Sequence, residues 1–241
     1  MAQEAAPEVT ILVPALNEED TIRELLERLL ALEIQSQIIV IDDGSTDKTP
    51  EILSEYNDRI MVLRNEKPGG KGAAIVQGLE FATGRAVVIQ DADLEYRPEE
   101  LPDLVRPILT GDKNVVYGTR FSRGMPSGMA LPNKVVNILL VWTVRLLYGR
   151  KITDEATCYK AFRRELLEDM NLSCQRFEFC PEVTAKAVRL GEQIYEVPIS
   201  YEPRTKLAGK KIRWQDAPEA FWTLFKHRFS QGWQPRDRRD A

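Results

Sequence analysis

The chain contains few of the residues that build metal or disulfide sites, with one histidine and three cysteines. His227 alone cannot form a His-rich zinc site. Cys158, Cys174 and Cys180 include no CxxC pair, so we expect reduced, structural thiols in a reducing compartment. Residues 1–8 lack the basic start and apolar core of a signal peptide, which predicts a cytoplasmic protein.

The sequence also carries little excess charge. Its 33 basic and 37 acidic residues give a formal net charge of -4 over 241 residues, which offers no reason to expect nucleic-acid binding. A hydrophobic content of 43% is enough for a full core. We therefore expect one large domain with elaborations. Its local clusters of charged residues, rather than its net charge, should indicate what it binds.

Strand and helix patterns alternate through the first half of the chain. The strand patterns cover residues 9–13, 37–41, 60–63, 86–90 and 114–117, and the later helical patterns cover 72–82 and 98–109. Asn17 is the predicted N-cap of the first helix, and Thr49 and Pro50 are the predicted cap and first-turn residue of the second. This alternation predicts an α/β fold with a mainly parallel sheet covered by helices on both faces.

Acidic residues follow several of these predicted strands. Asp91 and Asp93 come directly after residues 86–90, and Asp43 ends the second strand. Because ligands of open α/β sheets bind beyond the carboxyl ends of the strands, we expect these side chains to converge on one crevice. Asp91, Asp93 and Glu95 offer the oxygen ligands that Mg²⁺ or Mn²⁺ prefers. A solvated loop at residues 91–93 and a turn or capping role for Asp43 are the alternatives.

A glycine-rich turn precedes the third helix. Gly70-Lys71-Gly72 has neither P-loop spacing nor a GxGxxG fingerprint, so neither an ATPase nor a dehydrogenase is indicated. Backbone N–H groups and the Lys71 cation at a helix start could still lie near a nucleotide. A plain tight turn is the equally favoured alternative.

Two stretches of the second half are apolar on at least one side. A Gly/Pro/Ser/Met-rich loop at 122–132 leads into residues 135–148, whose 14 residues would span about 21 Å as a helix, short of the ~30 Å hydrocarbon layer. This segment predicts a packing helix, an oligomer contact or a helix lying in a membrane interface. Residues 216–219 open a second helix with aromatic residues on one face and basic residues beside them, which suits an anionic membrane surface or packing on the domain.

Several motifs resemble the signature series of family 2 glycosyltransferases. These are VPALNEE at 13–19, IDDGSTD at 41–47 and DAD at 91–93. Further positions are similar to the dolichyl-phosphate mannose synthase branch: Asn65, 70–72, 118–120, Asp154, 177–179, Glu182, 196–199 and Arg204. The resemblance implies a GT-A fold with a Rossmann-like sheet. It also implies inverting transfer of a hexose from a nucleotide diphosphate sugar, in that branch GDP-mannose, to a polyprenyl or dolichyl phosphate.

The resemblance also implies roles for individual residues. The nucleotide-sugar set is Pro14, Leu16, Glu18, Ile41, Asp43, Lys71, Asp91, Ala92, Asp93, Arg120, Arg204 and Lys210; the metal set is Asp91, Asp93 and Glu95; the acceptor set is Asp154, Glu182 and Lys211. Asp93, Arg120 and Arg204 are the predicted catalytic residues. Two departures concern Glu95, where the best-known members carry glutamine, and Leu16, which replaces a common tyrosine.

The acceptor determines which catalytic groups are needed. A phosphate monoester has a second pKa near ~6 and is already largely dianionic at neutral pH, so it needs no general base. A hydroxyl acceptor would need a carboxylate base, for which Asp154 and Glu182 are the candidates. The basic cluster suits anionic phosphates, with a solvated surface run as the alternative; it comprises Arg204, Lys206, Lys210, Lys211 and Arg213.

The sequence therefore predicts a catalytic domain over residues 1–213, which includes the loop and apolar interface helix at 122–149. Residues 214–241 are the predicted C-terminal amphipathic helix and charged tail. We expect a metal-dependent glycosyltransferase, peripheral at the cytoplasmic membrane face, and the oligomeric state stays open. The competing hypotheses are a glycosyltransferase with a soluble hydroxyl acceptor and a non-catalytic nucleotide-sugar-binding protein.

Overall fold

The strands of the described residues form one seven-stranded sheet of order β3-β2-β1-β4-β6-β5-β7. The structure is a computed structural model that describes residues 6–122, 124–126, 128–203, 217–230 and 232–235. Its strands are β1 Val9–Ala15, β2 Ser36–Asp42, β3 Met61–Arg64, β4 Ala86–Ile89, β5 Val115–Thr119, β6 Lys160–Arg163 and β7 Tyr195–Pro198. All neighbours pair in parallel except those of β6, which runs antiparallel to β4 and β5. The predicted mainly parallel sheet is confirmed.

Helices cover both faces of this sheet. They are α1 Ile22–Leu30, α2 Thr49–Ser54, α3 Lys71–Leu79, α4 Leu101–Leu109, α5 Leu131–Tyr148, α6 Arg164–Asp169, α7 Phe179–Arg189 and α8 Ala217–Phe229. The apolar sides of α1 and α4 pack on one face, and those of α3, α6 and α7 pack on the other. Because both faces are covered, functional side chains are left to the strand ends and loops.

The residues predicted as helix N-caps, Asn17 and Thr49, do not cap α1 and α2, whereas Pro50 lies in the first turn of α2 as predicted. Helix α1 begins at Ile22, whereas Asn17 has a positive φ of 50° and accepts a hydrogen bond from the Thr46 amide, at 2.8 Å, through its side-chain oxygen. The Thr49 hydroxyl accepts a hydrogen bond from the Glu18 amide at 2.8 Å. Both side chains therefore join the loops after β1 and β2, and these contacts hold Glu18 at the edge of the sheet.

Helix α5 begins four residues earlier than the sequence predicted, because Pro132 fits its first turn. Its inner side packs against α7 and α8 around Leu140, Val144 and Leu224. Its outer side exposes Leu131, Val135, Leu139, Trp142 and Leu146, and α8 exposes Trp222, Phe225 and Phe229. We call these eight residues the apolar surface.

None of the helices in the described ranges combines the length and apolarity needed to cross a bilayer.

Candidate active site

A cavity of about 450 Å³ lies beyond the carboxyl ends of β1, β2 and β4. The structure brings ten of the predicted site residues to its wall: Pro14, Leu16, Glu18, Asp43, Lys71, Asp91, Ala92, Asp93, Glu95 and Arg120. They meet there because parallel strands of one sheet end at the same edge. The basic cluster of residues 204–213, including Arg204, Lys210 and Lys211, lies outside the described residues.

Three predicted site residues do not line the cavity. Ile41 is fully buried in the core and lies so close to Gly78 that a Cβ there would be 2.7 Å from its Cδ1. Asp154 and Glu182 are also buried, at 0% and 1% exposure, and each is held by a basic side chain. Their roles follow from those contacts rather than from contact with a ligand.

Asp43 fixes the glycine turn that faces it. Its carboxylate accepts hydrogen bonds from the backbone amides of Gly69, at 2.8 Å, and Gly70, at 2.7 Å, and from the Asn65 side chain at 3.0 Å. The predicted turn role of Asp43 therefore exists, but it spans two loops rather than its own turn. Within that turn it is Asp42 that accepts a bond from the Ser45 amide.

The glycine turn reaches the cavity wall through Gly70 and Lys71, but four of its neighbouring backbone N–H groups are engaged by the protein. The amides of Gly69 and Gly70 donate to Asp43, while those of Gly72 and Ala73 donate to carbonyls of residues 175–176 at 3.0 and 2.9 Å. These N–H groups are thus already satisfied by the protein. The turn instead joins β2 to the loop between α6 and α7, which brings that loop to the cavity.

Close packing explains why the turn contains glycine. At Gly70, where φ is +97°, an added Cβ would lie 2.5 Å from the Gln175 carbonyl oxygen, whereas at Gly111, where φ is +82°, nothing lies within 4 Å.

We expect Gly70→Ala to lower the free energy of unfolding by about 1–3 kcal/mol more than Gly111→Ala, because only the first adds a steric overlap to backbone strain. Urea denaturation of both variants measures the difference. Equal losses would show that strain alone requires glycine at this position.

The acidic residues of the cavity are unequally neutralised. The Lys71 ammonium forms an ion pair with Asp91 and lies 3.0 Å from the Cys158 sulfur. Burial alone would lower the pKa of Lys71, but the Asp91 carboxylate raises it well above its ordinary value. Burial, together with the negative charges of Asp91 and Glu95, raises the pKa of Asp93 to about 7. The cluster therefore concentrates negative charge around Asp93.

This cluster suits a divalent cation in charge and donor type, although not as the predicted triad. Within the described residues, no three His, Cys, Asp or Glu side chains are arranged to hold a metal ion. Lys71 engages Asp91, and the Tyr201 hydroxyl donates to Glu95 at 3.0 Å. Carboxylate oxygens are nevertheless the ligands of Mg²⁺ and Mn²⁺, and a cation would relieve the repulsion that raises the pKa of Asp93.

Arg120 supplies a fixed positive charge opposite this cluster. Its Nε and a terminal nitrogen each donate to the Asp154 carboxylate at 2.7 Å, and its own amide donates to the same group at 3.0 Å. The guanidinium also lies 5.0 Å from the centre of the Tyr201 ring. Burial would lower the pKa of Arg120, but Asp154 holds it well above its ordinary value. Asp154 thus orients Arg120.

Glu182 belongs to a separate buried network below the cavity. It forms an ion pair with Lys186 one turn along α7 and accepts a bond from the Ser173 amide at 2.9 Å. Since it does not line the cavity, this geometry gives no support to Glu182 as an acceptor contact or a general base. Its contacts fix the start of the loop between α6 and α7.

Several cavity residues were not predicted from the sequence, and most of them come from loops that follow β4 along the chain. They are Pro68, Tyr96, Met129, Asn133, Val136, Ala156, Cys158, Arg176 and Tyr201. The motif at 177–179 marks one of these loops, but nothing in the sequence identifies its partner. Met129, Asn133 and Val136 are notable because they lie on α5 or just before it, so the cavity extends from the acidic strand ends to this helix.

Residues 10–170 match the sequence profile of Glycosyl transferase family 2. The chain belongs to this family. The match begins in β1 and ends just after α6, so it includes the strands that carry the acidic residues. The cavity is therefore the candidate nucleotide-sugar site of a family 2 glycosyltransferase domain.

The chain is similar to curated family members from archaea. It is 33% identical over 204 residues to the low-salt glycan biosynthesis hexosyltransferase Agl6 of Haloferax volcanii, covering 83% of this chain and 49% of that protein. It is 29% identical to a dolichol-phosphate mannosyltransferase of Pyrococcus furiosus, covering 85% of this chain and 60% of that protein. A third relative, 28% identical, is the UDP-N-acetylglucosamine–dolichyl-phosphate N-acetylglucosaminyltransferase of Methanococcus voltae, with 79% of this chain and 84% of that protein covered.

The fold also occurs in a solved structure. Glucosyl-3-phosphoglycerate synthase of Mycobacterium tuberculosis, in complex with Mn²⁺, UDP and phosphoglyceric acid, superposes with a TM-score of 0.69 at 24% identity, covering 92% of this chain and 79% of that one. This likeness supports the GT-A-like architecture. By contrast, the chain spans about half the length of the Agl6 relative and 60% of the Pyrococcus relative.

Proposed function

We propose that this enzyme transfers a hexose from a nucleotide diphosphate sugar to the phosphate of a polyprenyl or dolichyl lipid, at the cytoplasmic face of a membrane. Mannose from GDP-mannose is the favoured donor. In the transfer, a phosphate oxygen of the acceptor bonds to the anomeric carbon as the bond to the nucleotide diphosphate breaks, with inversion at that carbon. The products are a lipid-linked sugar and the nucleoside diphosphate.

One observation carries this proposal: a single cavity joins the acidic strand ends to helix α5, whose outer side is apolar. A nucleotide sugar would bind at the acidic end, with Asp43 near the nucleoside and Asp93 near the diphosphate. A lipid phosphate would then enter from the side of Met129 and Val136. Its hydrocarbon chain would leave toward the apolar surface, where burial of apolar groups is favourable.

The charges of the cavity suit two phosphorylated substrates. Asp93 and Asp91 would hold Mg²⁺ or Mn²⁺ together with oxygens of the donor, and such an ion supplies neutralisation of the departing diphosphate. Arg120, oriented by Asp154, would bind an acceptor or donor phosphate through its remaining N–H groups. The dianionic acceptor needs no general base. This agrees with a site whose two candidate bases, Asp154 and Glu182, are occupied by Arg120 and Lys186.

The names of the relatives support a dolichyl-phosphate acceptor but differ in the donor. One is a mannosyltransferase, and another uses UDP-N-acetylglucosamine. Incubating the purified chain with Mg²⁺, polyprenyl phosphate and each labelled nucleotide sugar in turn tests acceptor and donor together. We expect label in the organic extract with GDP-mannose. Extractable label with a UDP sugar alone would replace the donor, and no extractable label with any donor would reject the acceptor.

A soluble hydroxyl acceptor is the second candidate, and it is supported by the similar structure in complex with phosphoglyceric acid, a water-soluble compound that carries a hydroxyl group. A water-soluble glycosylated product in the same assay would support it. The third possibility, a non-catalytic nucleotide-sugar-binding protein, predicts binding of a nucleotide sugar without its consumption. Consumption of the donor in the presence of any acceptor excludes that reading.

The apolar surface predicts direct binding to lipid. Leu146 and Trp222 are 79% and 63% exposed. Each side chain that enters the membrane interface would contribute about 1.5–3 kcal/mol, so we expect the double variant Leu146→Ser, Trp222→Ser to reduce binding to anionic vesicles by at least about ten-fold. Vesicle flotation measures this, with Phe81→Ser, an exposed residue beyond the end of α3, as the control. Equal flotation of both variants would place membrane contact elsewhere.

A further inference from the structure

Arg176 is a positively charged residue at the wall of the active-site cavity, and the proposed mechanism gives it no role. It lies in the loop between α6 and α7, a part of the chain beyond the family match at residues 10–170. The cavity wall also contains Asp43, Gly70 and Lys71, which come from the first half of the chain. The position of Arg176 therefore depends on how the two halves of the chain meet.

The backbone of this loop is held on both sides. The Glu178 carboxylate accepts hydrogen bonds from the amides of Gln175, at 2.7 Å, and Arg176, at 2.9 Å. The Arg176 carbonyl in turn accepts a bond from the Gly72 amide at 3.0 Å. These bonds fix the Cα of Arg176 against the glycine turn even though its side chain is exposed.

The side chain of Arg176 starts directly beside Gly70. A Cβ on Gly70 would lie 3.2 Å from the Arg176 Cγ. The Gly70 amide donates to Asp43 at 2.7 Å, so Arg176 emerges on the Asp43 side of the cavity. Gly70 directly precedes Lys71, the partner of Asp91, so Arg176 starts between the proposed nucleoside position at Asp43 and the proposed diphosphate position at the acidic cluster, rather than on the α5 side proposed for the acceptor.

The other described cations of the cavity wall have carboxylate partners. Lys71 is paired with Asp91, and Arg120 with Asp154. Within the described ranges, the guanidinium of Arg176 makes no hydrogen bond or ion pair with protein. A guanidinium retains its charge at all physiological pH values and binds phosphate oxygens through two parallel N–H groups. Arg176 thus has its full hydrogen-bonding capacity for a ligand.

We propose that Arg176 binds the diphosphate of the nucleotide-sugar donor. This assignment rests on the proposed donor site and not on the lipid acceptor. The loop contacts with Gly72 and Glu178 would hold the backbone of Arg176 beside the donor site before the donor binds, so that binding has to order the side chain but not the loop. Arg176 would then neutralise one side of the diphosphate while the Asp93 cluster and its cation act on the other.

Binding of nucleotides without any acceptor tests this assignment. Titration calorimetry with Mg²⁺ would compare GDP with guanosine, and UDP with uridine, for wild type and Arg176→Ala. A lost charge-assisted pair should weaken diphosphate binding by about 10–100-fold and leave nucleoside binding unchanged. Arg176→Lys should recover part of the loss. Gln175→Ala is the matched control, because it alters an exposed side chain of the same loop and keeps its backbone bonds.

Two results would overturn the assignment. One is unchanged diphosphate binding in Arg176→Ala, and the other is an equal loss for nucleoside and diphosphate, which would indicate a displaced loop. Wild-type protein that binds neither GDP nor UDP would overturn it as well. Wild-type protein that binds a diphosphate through Arg176 but forms no lipid-linked product would support Arg176 and reject the lipid acceptor, so the two proposals can fail separately.

Discussion

Replacing Asp93 with asparagine is expected to reduce the rate of sugar transfer by at least about 10²–10³-fold, the usual effect of removing one group that stabilises a transition state. The change keeps the shape of the side chain and removes its charge, so the site loses its affinity for the divalent cation. Single-turnover assays with saturating donor and acceptor measure the transfer step directly.

The same substitution should not destabilise the fold. Burial and the charges of Asp91 and Glu95 raise the pKa of Asp93 to about 7, so its ionised form is unfavourable in the folded protein. A neutral asparagine side chain would relieve that repulsion, and thermal unfolding above pH 7 should occur at an equal or higher temperature than in wild type. Loss of activity without loss of stability separates a functional carboxylate from a structural one.

Glu95→Gln provides the matched control for Asp93→Asn. The side-chain amide of the variant retains an oxygen that can accept the hydrogen bond from Tyr201. Glutamine is also the residue at this position in the best-known members of the dolichyl-phosphate mannose synthase branch, which this sequence resembles. We expect this variant to keep most of its activity and to change the preference between Mg²⁺ and Mn²⁺. Wild-type rates in Asp93→Asn, or equal losses in both variants, would contradict a special role for Asp93.

Replacing Asp154 with alanine is expected to lower the free energy of unfolding by about 3–5 kcal/mol, because it leaves a buried guanidinium without its charge partner. Asp154 has no exposed surface, and Arg120 donates two side-chain bonds and one backbone bond to it. Urea denaturation measures the loss. Arg23→Ala removes a similar two-bond pair with Glu55 at the exposed surface, where screening by water makes the effect small.

The activity of Asp154 variants should identify its role. If Asp154 orients Arg120, then Asp154→Asn, which still accepts a hydrogen bond, should retain more activity than Asp154→Ala and should keep the pH profile of wild type. If Asp154 were instead a general base, both variants would lose activity equally and the acidic limb of the profile would disappear. A loss of less than about 1 kcal/mol in Asp154→Ala, as expected for an exposed ion pair, would show that the buried pair contributes little.

The first half of the fold could be predicted from the sequence because each of its strands and helices is marked by a pattern within its own short stretch of residues. Each of β1, β2 and β4 is a short apolar run at or just before the polar edge of the cavity, and the helices between them carry clear apolar faces. Strand β6 was not predicted, since its sequence KAFR contains two basic residues and resembles neither pattern. Only its position between β4 and β5 makes it a central strand in which Lys160 is fully buried.

The sequence by itself determined the family, the parallel sheet and the acidic strand ends, because strand direction and sheet edge follow from the order of the elements along the chain. Only the tertiary structure decided what each charged group does. Asp154 meets Arg120 across 34 positions, and Gly72 meets Arg176 from the other half of the chain. Such contacts depend on which loops share a cavity wall. The same carboxylate type therefore orients an arginine at Asp154, secures a turn at Asp43 and faces the ligand cavity at Asp93.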